Sequence, residues 1–177
     1  MKNKAIKDIV LLQCSARNNG DTAILSAWVE SKFEVTVLNL CDFNIHAFDY
    51  ENRFENDDFL PLITKIAKQS KALVFTTPVY WYTMSSQMKI FLDRISDLLK
   101  WHKPIGRLLR GKHIGLLSVC NDSEVNTAFE IPVKLSAEYL GMYYTGHLHN
   151  WIIEKEIPAE VQNALDDYFK KLLQDLT

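Results

Sequence analysis

The chain has 177 residues, of which 47% are hydrophobic and 24% charged, a composition typical of one soluble globular domain. Its formal net charge of −2 provides no basic field that would attract nucleic acids or anionic membranes. The three cysteines, Cys14, Cys41 and Cys120, are widely spaced, and no CxxC or Cys/His ligand pattern occurs. We therefore expect no disulfide framework, no structural zinc site and a reducing, cytoplasmic location.

The N-terminal segment MKNKAIKDIVLLQC begins with lysines and continues with apolar residues, as secretory signal peptides do. Its apolar stretch, residues 9–12, is shorter than the roughly 7–15 residues that a signal peptide needs. No other run approaches the roughly 20 apolar residues of a membrane helix. We therefore predict a protein without a membrane partner.

Short apolar runs alternate with amphipathic segments along the chain. The predicted strands are residues 8–14, 33–40, 72–77, 113–119 and 142–149. The predicted helices are residues 21–32, 57–69, 84–99, 125–140 and 158–176. Because a helix follows each strand, we expect an α/β fold with a parallel sheet and helices on both faces. The prediction is a single flavodoxin-like domain over residues 1–177, a three-layer sandwich whose five-stranded parallel sheet has the order 2-1-3-4-5.

The helix predicted at residues 84–99 has the most regular apolar pattern of the chain. Three of its four charged residues are placed on the polar side by this pattern: Lys89, Asp93 and Asp97. Since the apolar residues should face the sheet, we predict that these three charges lie on the solvent side of the helix.

The connection at residues 41–56 is long and has no regular pattern of its own. Loops beyond about 12–15 residues in compact domains tend to be functional or disordered. Four aromatic residues argue against disorder: Phe43, Phe48, Tyr50 and Phe54. Two interpretations stay open, a cover or subunit contact at the carboxyl edge of the sheet, or a packed surface loop.

The loop CSARNNGDT, residues 14–22, lies between the first strand and the first helix. Such a position directs backbone N–H groups and the positive end of the helix dipole towards an anion. Four of its residues suit a phosphate monoester: Ser15, Arg17, Gly20 and Thr22. The alternative is an ordinary helix start in which Ser15, Asn19 and Asp21 satisfy local backbone groups.

Other phosphate motifs are absent. Neither GxxxxGK[ST] nor GxGxxG occurs, which argues against a P-loop and against a dinucleotide-binding Rossmann site. Arg17 follows Cys14 too closely to close a phosphate cradle around a nucleophilic thiolate. Cys14 is therefore predicted to be a small residue at the end of a strand.

The loop TPVYWY, residues 77–82, follows the third strand at the same sheet edge. Three consecutive aromatic residues cannot all point into the core, so at least one should present its ring to a ligand. Capping of the core by these rings is the alternative. A phosphate loop beside an aromatic loop favours a flat, phosphorylated cofactor such as flavin mononucleotide.

The stretches CSARNNGDT and TPVYWYTMSSQMKIFLDRISDLL, residues 77–99, strongly resemble the flavodoxin-like NADPH-dependent FMN reductases and quinone reductases. The family patterns are close to GSxRxxGNT and TPxYWxxMSxxxKxFxDR, and the second match is the more specific. The resemblance implies noncovalent FMN and NAD(P)H as co-substrate. It also implies that hydride passes through flavin N5 to a quinone, flavin, azo or nitro acceptor.

The resemblance also implies site residues. Four would hold the FMN phosphate: Ser15, Arg17, Asn19 and Thr22. Five would line the isoalloxazine ring: Pro78, Val79, Tyr80, Trp81 and Tyr82. Asn121, in the loop 120–126, would contact the other side of the flavin. Asp21 replaces the asparagine of the family pattern, and we expect its carboxylate to cap the helix while its backbone N–H faces the phosphate.

Cys41 alone follows the second strand, so we expect no iron–sulfur cluster and no metal. The basic stretch at residues 100–113 and the residues His147, His149 and Trp151 are predicted to have surface or packing roles. The alternative for the basic stretch is a contact with the NADPH 2′-phosphate, and the alternative for the other three residues is a contact with a substrate.

We further expect a homodimer, with aromatic residues of 41–56 or 80–82 near its interface. An electron-carrying flavodoxin and an interaction domain without cofactor remain alternative functions, although carriers are usually more acidic than this chain.

Overall fold

The structure is a computed structural model that describes residues 5–177. The strands are β1 (Ile9–Gln13), β2 (Val35–Asn39), β3 (Ala72–Pro78), β4 (His113–Cys120) and β5 (Tyr143–Trp151). The helices are α1 (Asp21–Lys32), α2 (Phe59–Gln69), α3 (Ser86–Lys100), α4 (Lys103–Arg107), α5 (Ile131–Leu140) and α6 (Ala159–Asp175). Short 3-10 turns occur at Leu40–Asp42 and Thr127–Glu130. Residues 1–4 of the predicted domain lie outside the described residues.

The five strands form one parallel sheet in the order β2-β1-β3-β4-β5, which confirms the predicted topology. All five residues of β1 are buried, as expected for a central strand that helices cover on both faces. Because the strands are parallel, their carboxyl ends at Gln13, Pro78 and Cys120 meet at one edge of the sheet.

Each face of the sheet has its own apolar core, so the predicted three-layer arrangement is confirmed. On one face, α2, α3 and α5 pack through residues such as Phe59, Phe91 and Val133. Phe91 meets the rings of Phe59 and Phe75 edge-on, with centroids 5.3 and 5.8 Å apart. On the other face, α1 and α6 pack against the sheet through residues such as Leu25 and Phe169.

The element boundaries differ from prediction where proline and short elements intervene. Pro132 lies in the first turn of α5, so this helix begins at Ile131 rather than at residue 125. The basic stretch at residues 100–113 contains the short helix α4, which apolar periodicity did not predict. Within residues 5–177 the structure has no helix long and apolar enough to cross a membrane.

A buried arginine fastens the long connection at residues 41–56 to α3. Arg94, only 2% exposed, donates from Nε to Oδ2 of Asp97 at 2.7 Å and forms a second ion pair with Asp57. Its guanidinium also donates to the carbonyl oxygens of His46 and Phe54, at 3.1 and 3.3 Å. The prediction that Asp97 faces solvent is therefore wrong, because Asp97 is a buried partner of Arg94.

Asp57 joins the connection to the start of α2. Its carboxylate accepts the backbone N–H groups of His46 and Phe59, each at 2.9 Å. Burial alone would raise the pKa of Asp57, but Arg94 and these two N–H groups lower it below its ordinary value. The connection is therefore anchored to α2 and α3, and none of its residues lines the cavity described below.

Candidate functional site

A cavity of about 810 Å³ opens at the carboxyl edge of the sheet. Its walls come from the loops after β1, β3 and β4. Ten of the predicted site residues line it: Ser15, Arg17, Asp21, Thr22, Pro78, Val79, Tyr80, Trp81, Tyr82 and Asn121. Asn19 is exposed and does not line the cavity. The volume lies within the roughly 300–1,000 Å³ of small-molecule sites.

Neighbouring elements fix the shape of the loop after β1. The thiol of Cys41 donates to the carbonyl oxygen of Ser15 at 2.8 Å, and Asn39 Nδ2 donates to Asn18 Oδ1 at 2.9 Å. Cys14 is buried, and burial raises the pKa of its thiol well above the ordinary value. Cys14 is therefore a packing residue and not a nucleophile, as predicted.

This loop brings a cation to the start of α1. Arg17 is exposed, and its guanidinium lies over Gly20, where an added Cβ would be 3.6 Å from Nε. Ser15 and Thr22 are buried beside it. The first N–H groups of a helix have no intrahelical acceptor, so this corner of the cavity combines a forked cation with backbone donors. Such a corner suits a phosphate monoester.

The predicted helix cap by Asp21 is wrong. Gly20 is the N-cap residue of α1, and no side chain accepts a hydrogen bond there. Asp21 is the first residue inside the helix, and helical backbone angles turn its side chain away from the N–H groups that a cap would bind. Its half-buried carboxylate instead lines the cavity, at the positive end of the helix dipole.

The aromatic wall of the cavity is a tight turn. The N–H of Tyr80 donates to the carbonyl of Thr83 at 2.9 Å, and the N–H of Thr83 donates back at 3.1 Å. The two central residues, Trp81 and Tyr82, have φ values of 49° and 63°, the geometry of a type I′ turn. Trp81 is 93% and Tyr82 79% exposed, so the alternative that these rings cap the core is wrong.

Ser85 connects the aromatic wall to the phosphate corner, a role that was not predicted from the sequence. Its buried Oγ donates to the carbonyl oxygen of Cys14 at 2.6 Å and accepts the N–H of Met88 at 3.2 Å. Its N–H donates to Oγ1 of Thr77 at 3.0 Å. Serine before an amphipathic helix is an N-cap pattern, so the cap could have been predicted, although the bond to Cys14 could not.

The loop after β4 forms the third wall. The N–H of Val79 donates to the carbonyl of Val119 at 3.0 Å, which joins this wall to the aromatic one. Asn121 is the residue predicted there, and the structure adds the acidic residues Asp122 and Glu124. Together with Asp21, these two residues place three carboxylates in the cavity lining. The positively charged residue of the lining is Arg17, which lies at the phosphate corner.

Two other candidate segments lie apart from the cavity. The basic stretch at residues 100–113 leads into the amino end of β4, at the edge of the sheet opposite the cavity, and contributes no lining residue. His147 and His149 lie on β5, behind the wall that the β4 loop forms, and contribute none either. Both bond to Ser118 on the neighbouring strand.

Comparison with known sequences gives a family match over most of the chain. The family described as NADPH-dependent FMN reductase matches residues 8–152. The Bacillus subtilis (strain 168) protein YwqN, provisionally named an NAD(P)H-dependent FMN-containing oxidoreductase, is 28% identical over 98 residues. The match covers 52% of this chain and 54% of YwqN, so the chain matches about half the length of that relative.

Solved structures share the fold. The Trp repressor binding protein of Bacillus subtilis superposes with a TM-score of 0.67 at 21% identity, covering 90% of this chain and 94% of its own. General stress protein 14 of Treponema denticola, solved in complex with FMN, has a TM-score of 0.62 at 17% identity and coverages of 94% and 98%. An NADPH-quinone reductase from P. pentosaceus has a TM-score of 0.63 at 17% identity and coverages of 92% and 95%.

Proposed function

The chain belongs to the NADPH-dependent FMN reductase family, and from this membership we propose that it is an NAD(P)H-dependent oxidoreductase acting on a quinone, flavin, azo or nitro acceptor. FMN is the cofactor of the family and NAD(P)H its reductant. One observation carries the proposal: a cationic corner at a helix start and an aromatic turn face the same cavity.

The residues of the cavity fit FMN. Its phosphate would meet Arg17, the hydroxyl groups of Ser15 and Thr22 and the N–H groups that begin α1. Asp21 opposes the phosphate with one carboxylate, against the forked cation and several donors. The isoalloxazine ring would lie between the aromatic wall and the β4 loop, where backbone groups and Asn121 can reach its polar rim.

FMN, when bound, supplies two-electron hydride chemistry. The chain would supply position. Ser85 links the aromatic wall to the phosphate corner, so the two ends of the ligand would be bound by connected parts of the protein. Trp81 and Tyr82 are exposed at the mouth of the cavity, where their rings can contact a planar co-substrate. We propose that reductant and acceptor use this mouth in turn, in a ping-pong sequence.

The proposal predicts that purified protein reconstituted with FMN loses its visible flavin absorbance when NADPH or NADH is added anaerobically. Addition of a quinone should restore the absorbance, and steady turnover should follow. A flavodoxin that only carries electrons would bind FMN but show negligible turnover without a separate reductase. Protein that takes up no FMN would contradict the proposal outright.

We also propose that the chain forms a homodimer. Tyr50, Trp81 and Tyr82 are exposed aromatic residues in the two segments where the interface was expected. Leu135 and Tyr139 on α5 add exposed apolar surface, at 55% and 76% exposure. Sedimentation over a wide concentration range should give twice the mass of the 20.5 kDa chain. A monomer throughout that range would contradict the dimer and leave the FMN assignment unaffected.

A further inference from the structure

The order of the strands separates the charges of the cavity lining. Arg17 and Asp21 follow β1, whereas Asp122 and Glu124 belong to the loop that follows β4. Strand β3 lies between β1 and β4, and adjacent strands are about 4.8 Å apart, so the two groups of charges are anchored about 10 Å from each other. The aromatic turn at Tyr80–Thr83 follows β3. It therefore has the arginine on its β1 side and two carboxylates on its β4 side.

The loop after β4 holds its backbone in place while its two carboxylates stay exposed. The carbonyl oxygen of Asp122 lies 2.9 Å from Nε2 of His149, and its N–H donates to Sγ of Cys120 at 3.3 Å. Oδ1 of Asp122 accepts the N–H of Glu124 at 3.2 Å. Both acidic side chains are exposed, and both line the cavity.

The described part of the chain does not neutralise these two charges. Within residues 5–177, no lysine, arginine or histidine forms an ion pair with Asp122 or Glu124. One arginine against three carboxylates gives the lining a formal charge of −2. A phosphate monoester at the Arg17 corner would bring about −1.5 to −2 more at pH 7, so the loaded cavity would be more negative still.

The aromatic turn adds a second, independent preference for positive charge. Trp81 and Tyr82 expose their rings at the mouth of the cavity, where a planar co-substrate can contact them. The face of an aromatic ring is electrostatically negative and attracts a cation within about 6 Å of its centre. The rings and the carboxylates of the β4 loop therefore act on a charged ligand in the same direction.

We propose that this mouth selects its electron acceptor by charge, and that Asp122 and Glu124 determine the selectivity. Planar quinone, azo or nitro compounds with a positively charged substituent bind more tightly than those that carry a sulfonate or a carboxylate. The identity of the ligand as an electron acceptor rests on the proposed function, whereas the preference for positive charge does not.

The selectivity depends on ionic strength, because exposed carboxylates act on a ligand through solvent. The Debye length is about 30 Å at 0.01 M salt and about 3 Å at 1 M. The preference for the cation is therefore largest at low salt and decreases as salt is added. A preference caused by the shape of the ligand would not decrease in this way.

The test uses two anthraquinones that differ only in one substituent, a trimethylammonium group or a sulfonate at the same ring position. Equilibrium dialysis against oxidised, FMN-loaded protein gives the Kd of each compound. The cationic compound should bind more tightly to the wild type at 0.01 M salt, and the ratio of the two Kd values should decrease at 1 M.

The double variant Asp122→Asn/Glu124→Gln should reduce this ratio by about three- to tenfold, the scale of exposed charge pairs. Asparagine keeps the oxygen that accepts the Glu124 N–H, so the variant changes charge and preserves this contact of the loop. Properties of the two compounds other than charge cancel when the ratio is compared between variant and wild type. Glu138→Gln, an exposed substitution in the last turn of α5, is the matched control and should leave the ratio unchanged.

Two results would overturn the proposal: tighter binding of the sulfonate by the wild type, or a ratio in the double variant equal to that of the wild type. The same titrations in flavin-free protein separate this outcome from failure of the proposed function. The double variant should reduce the ratio there as well, because any binding of the sulfonate at Arg17 is common to variant and wild type. Protein that takes up no FMN would contradict the proposed function, while the flavin-free ratios still decide whether the two carboxylates select for charge.

Discussion

Replacing Arg94 by leucine is expected to lower the free energy of unfolding by about 3–5 kcal/mol. The substitution would leave the carboxylates of Asp57 and Asp97, whose side chains are 3% and 6% exposed, without their cation. It would also remove the donors that hold the carbonyls of His46 and Phe54, and so release the connection at residues 41–56. Urea denaturation monitored by circular dichroism measures the loss.

A matched control lies on the same helix. Lys89 and Asp93 form an exposed pair at 2.7 Å, and Lys89→Ala should change stability by about 0.5 kcal/mol or less. If Arg94→Leu does not fold, Arg94→Lys can be measured instead. Lysine keeps the positive charge but lacks the planar guanidinium with its several donors, so it should give an intermediate loss of unfolding free energy. A loss from either Arg94 variant no larger than that of Lys89→Ala would show that the buried network contributes no stability.

Replacing Arg17 by alanine is expected to weaken FMN binding by about 1.5–3 kcal/mol, the range of a charge-assisted hydrogen bond. That energy is equivalent to roughly a 10- to 150-fold rise in Kd. Arg17 is the cation of the cavity lining, and it lies beside the first turn of α1. Fluorescence titration of the apoprotein with FMN gives the affinity directly.

Riboflavin is the matched ligand for this experiment, because it lacks only the phosphate. Arg17→Ala should bind riboflavin as the wild type does, and Arg107→Ala, on α4 at the opposite edge of the sheet, should leave FMN affinity unchanged. Unaltered FMN affinity in Arg17→Ala would show that the FMN phosphate does not bind at this corner. An equal loss for FMN and riboflavin would assign Arg17 to another part of the ligand.

The fold could be predicted from the sequence because each βα unit is regular over its own length. The burial of all of β1 and the amphipathic face of α3 follow from apolar patterns within single segments. The start of α5 could have been predicted only from the preference of proline, here Pro132, for the first turn of a helix. Helix α4 is five residues long, too short for a period to be visible.

The structure was less predictable where contacts join distant segments. Apolar periodicity assigns every charged residue of a helix to solvent, so it could not reveal that Arg94 has a buried partner 37 positions earlier, at Asp57. The pairing of Ser118 with His149 depends on the register of β4 and β5, which shifts between Ile114 and Leu116. Such a shift changes which residues face each other, and no local pattern records it.

The turn at Tyr80–Thr83 limits how this chain can be improved by substitution. Bulky residues with positive φ cost of order 1–3 kcal/mol each, and Trp81 and Tyr82 both adopt such values. Selection or engineering for thermal stability alone would favour glycine or asparagine at these two positions. The same changes would remove the aromatic surface at the mouth of the cavity. Substitutions that stabilise this turn would therefore weaken its capacity to bind a planar ligand.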